Sequence, residues 1–337
     1  MPRPGDAVVR PGTVHAFPGQ GDFPLSPLPR ALVAVPELRA AVAEVFRAAD
    51  PAGAEFGVRP LGPWLLAPAP PSGAALAAEV PGTAQLALFG LCLAAHRALA
   101  RCGLPADRLL AVSFGEIPAL TAAGALAVPD GARLACRLGQ LLHTAPGGLT
   151  VLRASAPRVR ALLARCGARE VVVACVNDAG ETVISGPPAA LLDAERAAGA
   201  AGVEAARLRL PFRAHHPELR EQAAAFEAFA RALPWRPPRL PVHSAVAGRA
   251  YQTGSDLPRA LADCLVRPAE LPPVLRQAVG PGTLVLETGT GRALSESIRR
   301  TVPGARIRAP IADSARGAAR PTDASVPHTR TARGGCP

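Results

Sequence analysis

Leu109-Leu110-Ala111-Val112-Ser113-Phe114-Gly115-Glu116 decides how the rest of the chain reads. An apolar run leads into a serine flanked by small residues. Ile117-Pro118-Ala119-Leu120-Thr121-Ala122-Ala123-Gly124 then continues as a helix after an early proline. A strand that ends in a sharp turn and restarts as a helix leaves the serine hydroxyl exposed at the helix N-terminus, the arrangement of a nucleophile elbow. Ala111 and Gly115 let strand and helix approach closely, so the usual G-x-S-x-G reads here as A-x-S-x-G. The helix N-terminus favours negative charge beside the serine, which suits a tetrahedral oxyanion. An N-capping serine has the same local sequence, so this stretch alone leaves both roles open.

Composition narrows the setting. The chain has 337 residues, room for one large domain or two smaller ones. Apolar residues make up 49% and aromatics only 4%, so the core must be built from Ala, Leu and Val. There is no lysine; all 37 basic residues are arginine, and the net charge is +11. A GC-rich coding bias gives the same arginine excess, but the charge still favours acidic partners. No arginine run alternates with aromatics, so nucleic acid is not an expected partner. The seven cysteines, at 92, 102, 136, 166, 175, 264 and 336, form no C-x-x-C pair, and their number is odd. They read as reduced thiols of a cytoplasmic protein. The histidines show no metal-ligand spacing, so no metal is expected. The N-terminus lacks a signal-peptide apolar region, and no apolar stretch reaches bilayer length, so no membrane partner is expected. The expected oligomeric state is a monomer.

Along the chain, residues 1–12 read as disordered. Thr13-Val14-His15-Ala16-Phe17 is a short buried strand running into the tight turn Pro18-Gly19-Gln20-Gly21. Residues 51–82, rich in Pro, Gly and Ala, read as a long irregular connection. A buried helix follows from Thr83 to Cys102, then the elbow, then a helix from about Asp130 to His143. Next come strand Leu149–Leu152, helix Pro157–Cys166, strands Glu170–Cys175 and Glu181–Ile184, helix Pro188–Ala198 and strand Val203–Leu210. The order βαββαβ is that of a ferredoxin-like subdomain, here 146–210, inserted into an α/β domain made of 13–145 and 211–313. His215 and His216 follow at once. Beyond them lie a helix from Pro217 to Leu233, a strand from Pro241 to Val246, a helix near Leu257–Cys264 and a strand from Thr283 to Glu287. That last strand ends in Thr288-Gly289-Thr290-Gly291, and 314–337 reads as a disordered tail.

From about Thr13 to Asp313, these pieces resemble the malonyl-CoA:acyl carrier protein transacylases and the acyltransferase domains of polyketide synthases. The family's G-Q-G turn is Gly19-Gln20-Gly21, and its G-H-S-x-G-E is Ala111-Val112-Ser113-Phe114-Gly115-Glu116. Its histidine segment, of the type Y-A-S-H-S-P-Q-V, is Phe212-Arg213-Ala214-His215-His216-Pro217-Glu218-Leu219, and its I-G-P-G is Thr288-Gly289-Thr290-Gly291. The resemblance implies an α/β-hydrolase-like core with the ferredoxin-like insert. It implies Ser113 as nucleophile and His215 as base, with the register to Pro217 favouring His215 over His216. The backbone amides of Gln20 and Phe114 would form the oxyanion hole. Chemistry of this kind is ping-pong acyl transfer: a thioester gives an acyl-serine, and a second thiol accepts the group. No cofactor is implied; coenzyme A thioesters and a phosphopantetheine-carrying acyl carrier protein are the substrates.

Three departures from the family pattern bear on this. Val112 stands where the family has histidine. Cys264 stands where the family has a glutamine whose main-chain carbonyl orients the catalytic histidine. Aligned without gaps, the helix after the elbow puts Leu138 where malonyl-type members carry an arginine for the extender's free carboxylate; Arg137 is about 100° away around the helix. With Val112, Leu138 and Phe212 lining the pocket, the expected acyl group carries no second carboxylate, as a starter unit of polyketide or fatty-acid assembly would. Arg213 reaching in from the other side would reverse that expectation. The alternatives are an editing thioesterase on the same serine and histidine, malonyl transfer, and a non-catalytic module that binds carrier protein.

Overall fold

The elbow strand is shielded from water by parallel pairing on both sides. The computed structural model describes residues 11–21 and 23–314; of the segments expected to be disordered, 1–12 and 314–337, residues 1–10 and 315–337, Cys336 among them, lie outside the described residues, and Ser314 instead closes a short helix, Pro310–Ser314. Its strands are β1 (Thr13–Phe17), β2 (Arg108–Ala111), β3 (Gly148–Leu152), β4 (Val172–Asp178), β5 (Glu181–Gly186) and β6 (Ala205–Arg207). They continue as β7 (Val242–Ser244), β8 (Arg249–Ala250), β9 (Ala269–Glu270), β10 (Leu284–Glu287) and β11 (Arg306–Arg308). The larger sheet has the order β11-β10-β1-β2-β7-β8, parallel throughout except for the β7–β8 hairpin. Covered on both faces, its central strands need continuous apolar runs, and Val14, Ala16, Phe17, Leu109, Leu110 and Ala111 are fully buried. The strand order reverses beside β1, the place where open parallel sheets bind ligands at their C-terminal edge. Pro18–Gly21 after β1, the elbow after β2 and Thr288–Gly291 after β10 all lie on that edge.

Three long helices, Pro36–Ala54, Thr83–Arg101 and Val128–His143, pack against one another through the main core. Contrary to expectation, Thr83–Arg101 is long and apolar enough to cross a bilayer, with a mean hydropathy of 1.3; 72% of it is buried inside the protein, as in a core helix. Residues 51–82 are also more regular than their composition implies. The first helix runs through Pro51 to Ala54, and short helices form at Gly62–Leu65 and Gly73–Ala77. The segment is pinned because the Asp50 carboxylate accepts the amides of Leu61 (2.9 Å) and Gly62 (3.1 Å), and Leu61, Leu65 and Leu76 are buried.

The smaller sheet has the order β6-β3-β5-β4-β9. The first four strands pair antiparallel, and β9 joins β4 in parallel. Helices Ala156–Cys166 and Pro188–Ala200 cover it through Val159, Leu162, Leu191 and Ala194, packed on Leu152 and Ile184. The strand expected over Val203–Leu210 shrinks to Ala205–Arg207, an exposed edge that β3 pairs only from Thr150 to Leu152. The cysteines of the described residues form no disulfide, with Cys92, Cys136 and Cys264 buried and Cys166 exposed.

Two features of the sheet carry testable consequences. Gly115 faces the end of β1 so closely that a Cβ there would lie 2.3 Å from the Phe17 carbonyl oxygen. Backbone atoms cannot yield as a side chain can, so Gly115→Ala is expected to cost about 1–3 kcal/mol in denaturant unfolding and to displace Ser113.

His15, buried on β1, shares a hydrogen bond with His96 (Nδ1 to Nδ1, 2.9 Å) and places Nε2 3.0 Å from the Leu104 carbonyl. Burial is the main cause that lowers both rings, His15 from 6.5 to about 3 and His96 to about 4. The unfolded chain therefore takes up protons first as pH falls, and stability present above pH 6.5 is lost toward those values. The unfolding midpoint is expected to drop steadily over that window, and less so in His96→Gln.

Candidate active site

Ser113 sits where β2 gives way to a 3-10 turn, Ser113–Gly115, and then to the helix Glu116–Ala122. Its φ is +55°, and His215 has φ +53°; among the described residues no other non-glycine has a positive φ. Left-handed backbone at such residues is strained and persists only where the surroundings impose it. Here the Val112 amide donates to the Phe17 carbonyl (3.1 Å) and the Gly115 amide to the Val112 carbonyl (3.0 Å), so the chain must turn within three residues.

The fold brings His215 to Ser113 across 102 positions of sequence, with Nε2 2.8 Å from the serine Oγ. Its Nδ1 is 2.6 Å from the Arg267 carbonyl oxygen. A carbonyl only accepts, so Nδ1 carries the proton and Nε2 presents its lone pair to the serine. Burial lowers the ring to about 4, against a smaller opposing effect of the Arg267 carbonyl, so it is neutral at ordinary pH. Neighbouring backbone fixes its position: the Ala214 amide donates to Ser185 Oγ (3.2 Å) and the His216 amide to the Leu265 carbonyl (2.9 Å). His216 is turned elsewhere. Its Nε2 is 3.1 Å from the Glu170 carbonyl and its Nδ1 accepts the Glu218 amide (3.3 Å), capping the short turn Pro217–Leu219.

The carbonyl that orients the histidine is therefore that of Arg267, not Cys264. The helix Leu257–Val266 keeps the Cys264 carbonyl three residues back, while Arg267, extended at its C-terminus, turns its carbonyl toward the imidazole. Cys264 has a different place: it is buried, lines the recess beside Ser113, and puts its thiol near the Glu116 carboxylate. No position in the sequence flagged Arg267, because a main-chain carbonyl leaves no side-chain signature. Glu116 was visible as the last residue of the elbow motif but had no role.

Gln20 and Phe114 meet at the same recess as Ser113. Gly19 brings the turn onto the elbow, where a Cβ would lie 3.4 Å from the Val112 carbonyl oxygen and 3.8 Å from Ser113 Cβ. The Gln20 side chain accepts from Gln85 Nε2 at 2.8 Å. Two openings flank the serine. A recess runs between Phe114, Ile117, Leu138, Leu142, Phe226 and Leu261. A wider cleft extends over the smaller sheet and includes Val112, Phe212 and His215. Leu138 thus lies in the inner recess, whereas Val112 and Phe212 line the outer cleft. Among the described residues, neither opening is lined by an arginine. Arg213 pairs with Glu218, and Arg137 reaches Gln140 at 3.4 Å. A neutral imidazole facing a strained serine, with backbone amides and an apolar recess alongside, can activate the hydroxyl for attack on an acyl carbon.

The described residues include no group of three or more His, Cys, Asp or Glu that could hold a metal ion. Comparison with known proteins agrees with this chemistry. In fold the chain is similar to malonyl-CoA:acyl carrier protein transacylase of Xanthomonas oryzae pv. oryzae, with a TM-score of 0.76 and 28% identity, covering 89% of this chain and 94% of that one. It is also similar to the acyltransferase domain of an iterative polyketide synthase in enediyne biosynthesis (TM-score 0.59, 33% identity, 66% of this chain and 59% of that one). Among curated proteins, spectinabilin polyketide synthase system protein NorB of Streptomyces orinoci is 32% identical over 166 residues, which are 49% of this chain but 8% of that protein. The chain therefore spans a small fraction of the length of such relatives. The acyl transferase domain model matches residues 74–284, a stretch that holds the elbow, His215 and Arg267. On that match the chain belongs to the acyl transferase domain family, and it is a transferase.

Proposed function

We propose that the chain moves a non-carboxylated acyl group from a thioester, through an ester on Ser113, to the thiol of an acyl carrier protein. The observation that carries this reading is the Ser113–His215 contact opening onto a recess whose wall at position 138 is leucine and whose lining holds no arginine. A malonyl-type group would bring a second carboxylate into that recess. Burying a charge without a partner is costly, and arginine normally offsets the cost.

The steps follow from the geometry. Ser113 Oγ bonds to the thioester carbon while its proton passes to His215 Nε2. The Arg267 carbonyl stabilises the imidazolium through Nδ1–H. The amides of Gln20 and Phe114 supply the oxyanion donors; loss of one such donor costs about 2.7–4 kcal/mol in other enzymes. The C–S bond then breaks and the departing sulfur takes the proton from Nε2, leaving the acyl-serine. The carrier's thiol reverses the sequence: its proton goes to Nε2, its sulfur bonds to the acyl carbon, and Ser113 Oγ leaves with the proton.

The net charge of +11 suits an acidic carrier protein, and cysteines without disulfides among the described residues suit a reducing, cytoplasmic setting. We take the chain as a monomer without a bound cofactor. We read 13–145 with 211–313 as an α/β-hydrolase-like catalytic unit, which the parallel sheet and its elbow support. The β6-β3-β5-β4 order with two covering helices supports reading 146–210 as a ferredoxin-like insert.

Intact-protein mass spectrometry with a panel of acyl-CoAs tests the chemistry. Ser113→Ala is expected to take up no acyl mass. His215→Ala is expected to slow acylation by about 10²–10⁴-fold, whereas His216→Ala changes it little. Decay of the acyl-enzyme in water as fast as with carrier protein would make the chain a thioesterase instead.

The substrate is tested by competition between donors. An unpaired buried carboxylate costs several kcal/mol, and each ~1.4 kcal/mol is tenfold. Wild type is therefore expected to prefer an unbranched monocarboxylic acyl-CoA over malonyl-CoA by on the order of a hundredfold in kcat/KM. Leu138→Arg should narrow that ratio, even where replacing a buried leucine lowers stability. Equal use of malonyl-CoA by wild type would overturn the non-carboxylated reading.

A further inference from the structure

We propose that Glu116 is a positioning residue for the Ser113–His215 pair, tying the elbow helix to the helix whose end holds His215. The inference rests on the Ser113–His215 reading above. Glu116 opens the helix after the elbow, three residues beyond Ser113, and is fully buried. Its carboxylate accepts from Ser244 Oγ at 2.6 Å and from the Tyr251 hydroxyl. The Cys264 thiol and the Val246 amide lie close to it as well. The Cys264 thiol donates to the Ala260 carbonyl, 3.6 Å from its sulfur and one turn back in the same helix, while its sulfur rests near the carboxylate. Ser244 ends β7, Tyr251 follows β8, and Cys264 lies in the Leu257–Val266 helix, three residues before Arg267. One carboxylate therefore connects the elbow, the β7–β8 hairpin and the helix that presents the carbonyl to His215 Nδ1.

An ionised Glu116 accepts from both hydroxyls at once and faces the thiol. A protonated one carries a donor of its own and loses acceptor capacity, so one tie must loosen. The thiol beside that carboxyl sits on the helix that ends at Arg267, so a carboxyl that turns presses on that helix. A shift there moves His215 relative to Ser113, and misplacement by about 1 Å can cost about a hundredfold in rate.

Burial pushes Glu116 up to about 7, against the opposing effect of its hydrogen bonds from Ser244 and Tyr251. Tyr251 and Cys264 are the titratable groups facing it. Burial first, and Glu116 second, raise both well above their ordinary values, so they remain donors near neutral pH. Asp263 and Arg267, on the same stretch as Cys264, act on that thiol in opposite directions. His215, neutral above about 4, contributes no titration near pH 7.

The test is the rate at which phenylmethanesulfonyl fluoride modifies Ser113, followed by intact-protein mass spectrometry across pH. This probe does not depend on acyl-group preference. Wild-type labelling is expected to fall about tenfold as pH drops through the region near 7. Glu116→Gln is expected to lose that fall and to react at or below the low-pH wild-type rate throughout. A Glu116→Gln profile that keeps the fall, or a wild type without one, overturns the inference. If Glu116→Gln does not fold, Tyr251→Phe serves: removing one donor raises the Glu116 pKa, so the fall must move to higher pH, and an unmoved profile overturns the inference. Labelling that persists in Ser113→Ala, or no labelling of wild type, overturns the Ser113–His215 reading itself and the inference with it.

Discussion

Everything at the site depends on one steric contact, Gly115 against the carbonyl of Phe17. Parallel pairing of β1 with β2 puts the end of one strand beside the turn of the other. With no Cβ at 115, the helix can begin directly against β1, and Ser113 is left in left-handed backbone with its hydroxyl outward. The second left-handed residue, His215, is fixed by different means: backbone bonds to the smaller sheet and to the end of the Leu257–Val266 helix. The two strained residues meet with the imidazole Nε2 2.8 Å from the serine Oγ. Strain alone would relax; it is held by packing that has no freedom left to give.

Electrically, the site is built to keep its imidazole neutral. The ring is buried, and the group hydrogen-bonded to Nδ1 is a main-chain carbonyl rather than a carboxylate. A carboxylate in that place would raise the ring's basicity, whereas a carbonyl mainly selects the tautomer and orientation. The buried carboxylate that is present, Glu116, lies one layer back and faces hydroxyls and a thiol rather than the ring.

Most of this was legible in the sequence, and the parts that were not share a cause. Strand–turn patterns around Ala111–Gly115 and the βαββαβ succession of 149–210 are local signals, and the elements appear within a few residues of where periodicity puts them. His215, which the register to Pro217 favours over His216, is the residue that takes the left-handed turn and faces Ser113. Residues 51–82 misled because proline and glycine advertise turns, while the ties that order the segment, Asp50 to the amides of Leu61 and Gly62, span the loop. Arg267 was invisible for a deeper reason: its contribution is a carbonyl, which every residue possesses. Cys264 was assigned that role because a family position was read as a function, and three residues of helix geometry separate the two.

The pairing of β9 with β4 has a consequence for anyone recombining such proteins. The smaller sheet completes its edge with a strand drawn from outside the segment that forms the rest of it, beginning two residues after Arg267. Transplanting only the contiguous stretch carrying β3 to β6 would leave β4 with a mismatched neighbour and pull on the backbone that aims the histidine. The natural unit of exchange is therefore discontinuous in sequence. A chimaera keeps its geometry only if β9 travels with the segment it completes.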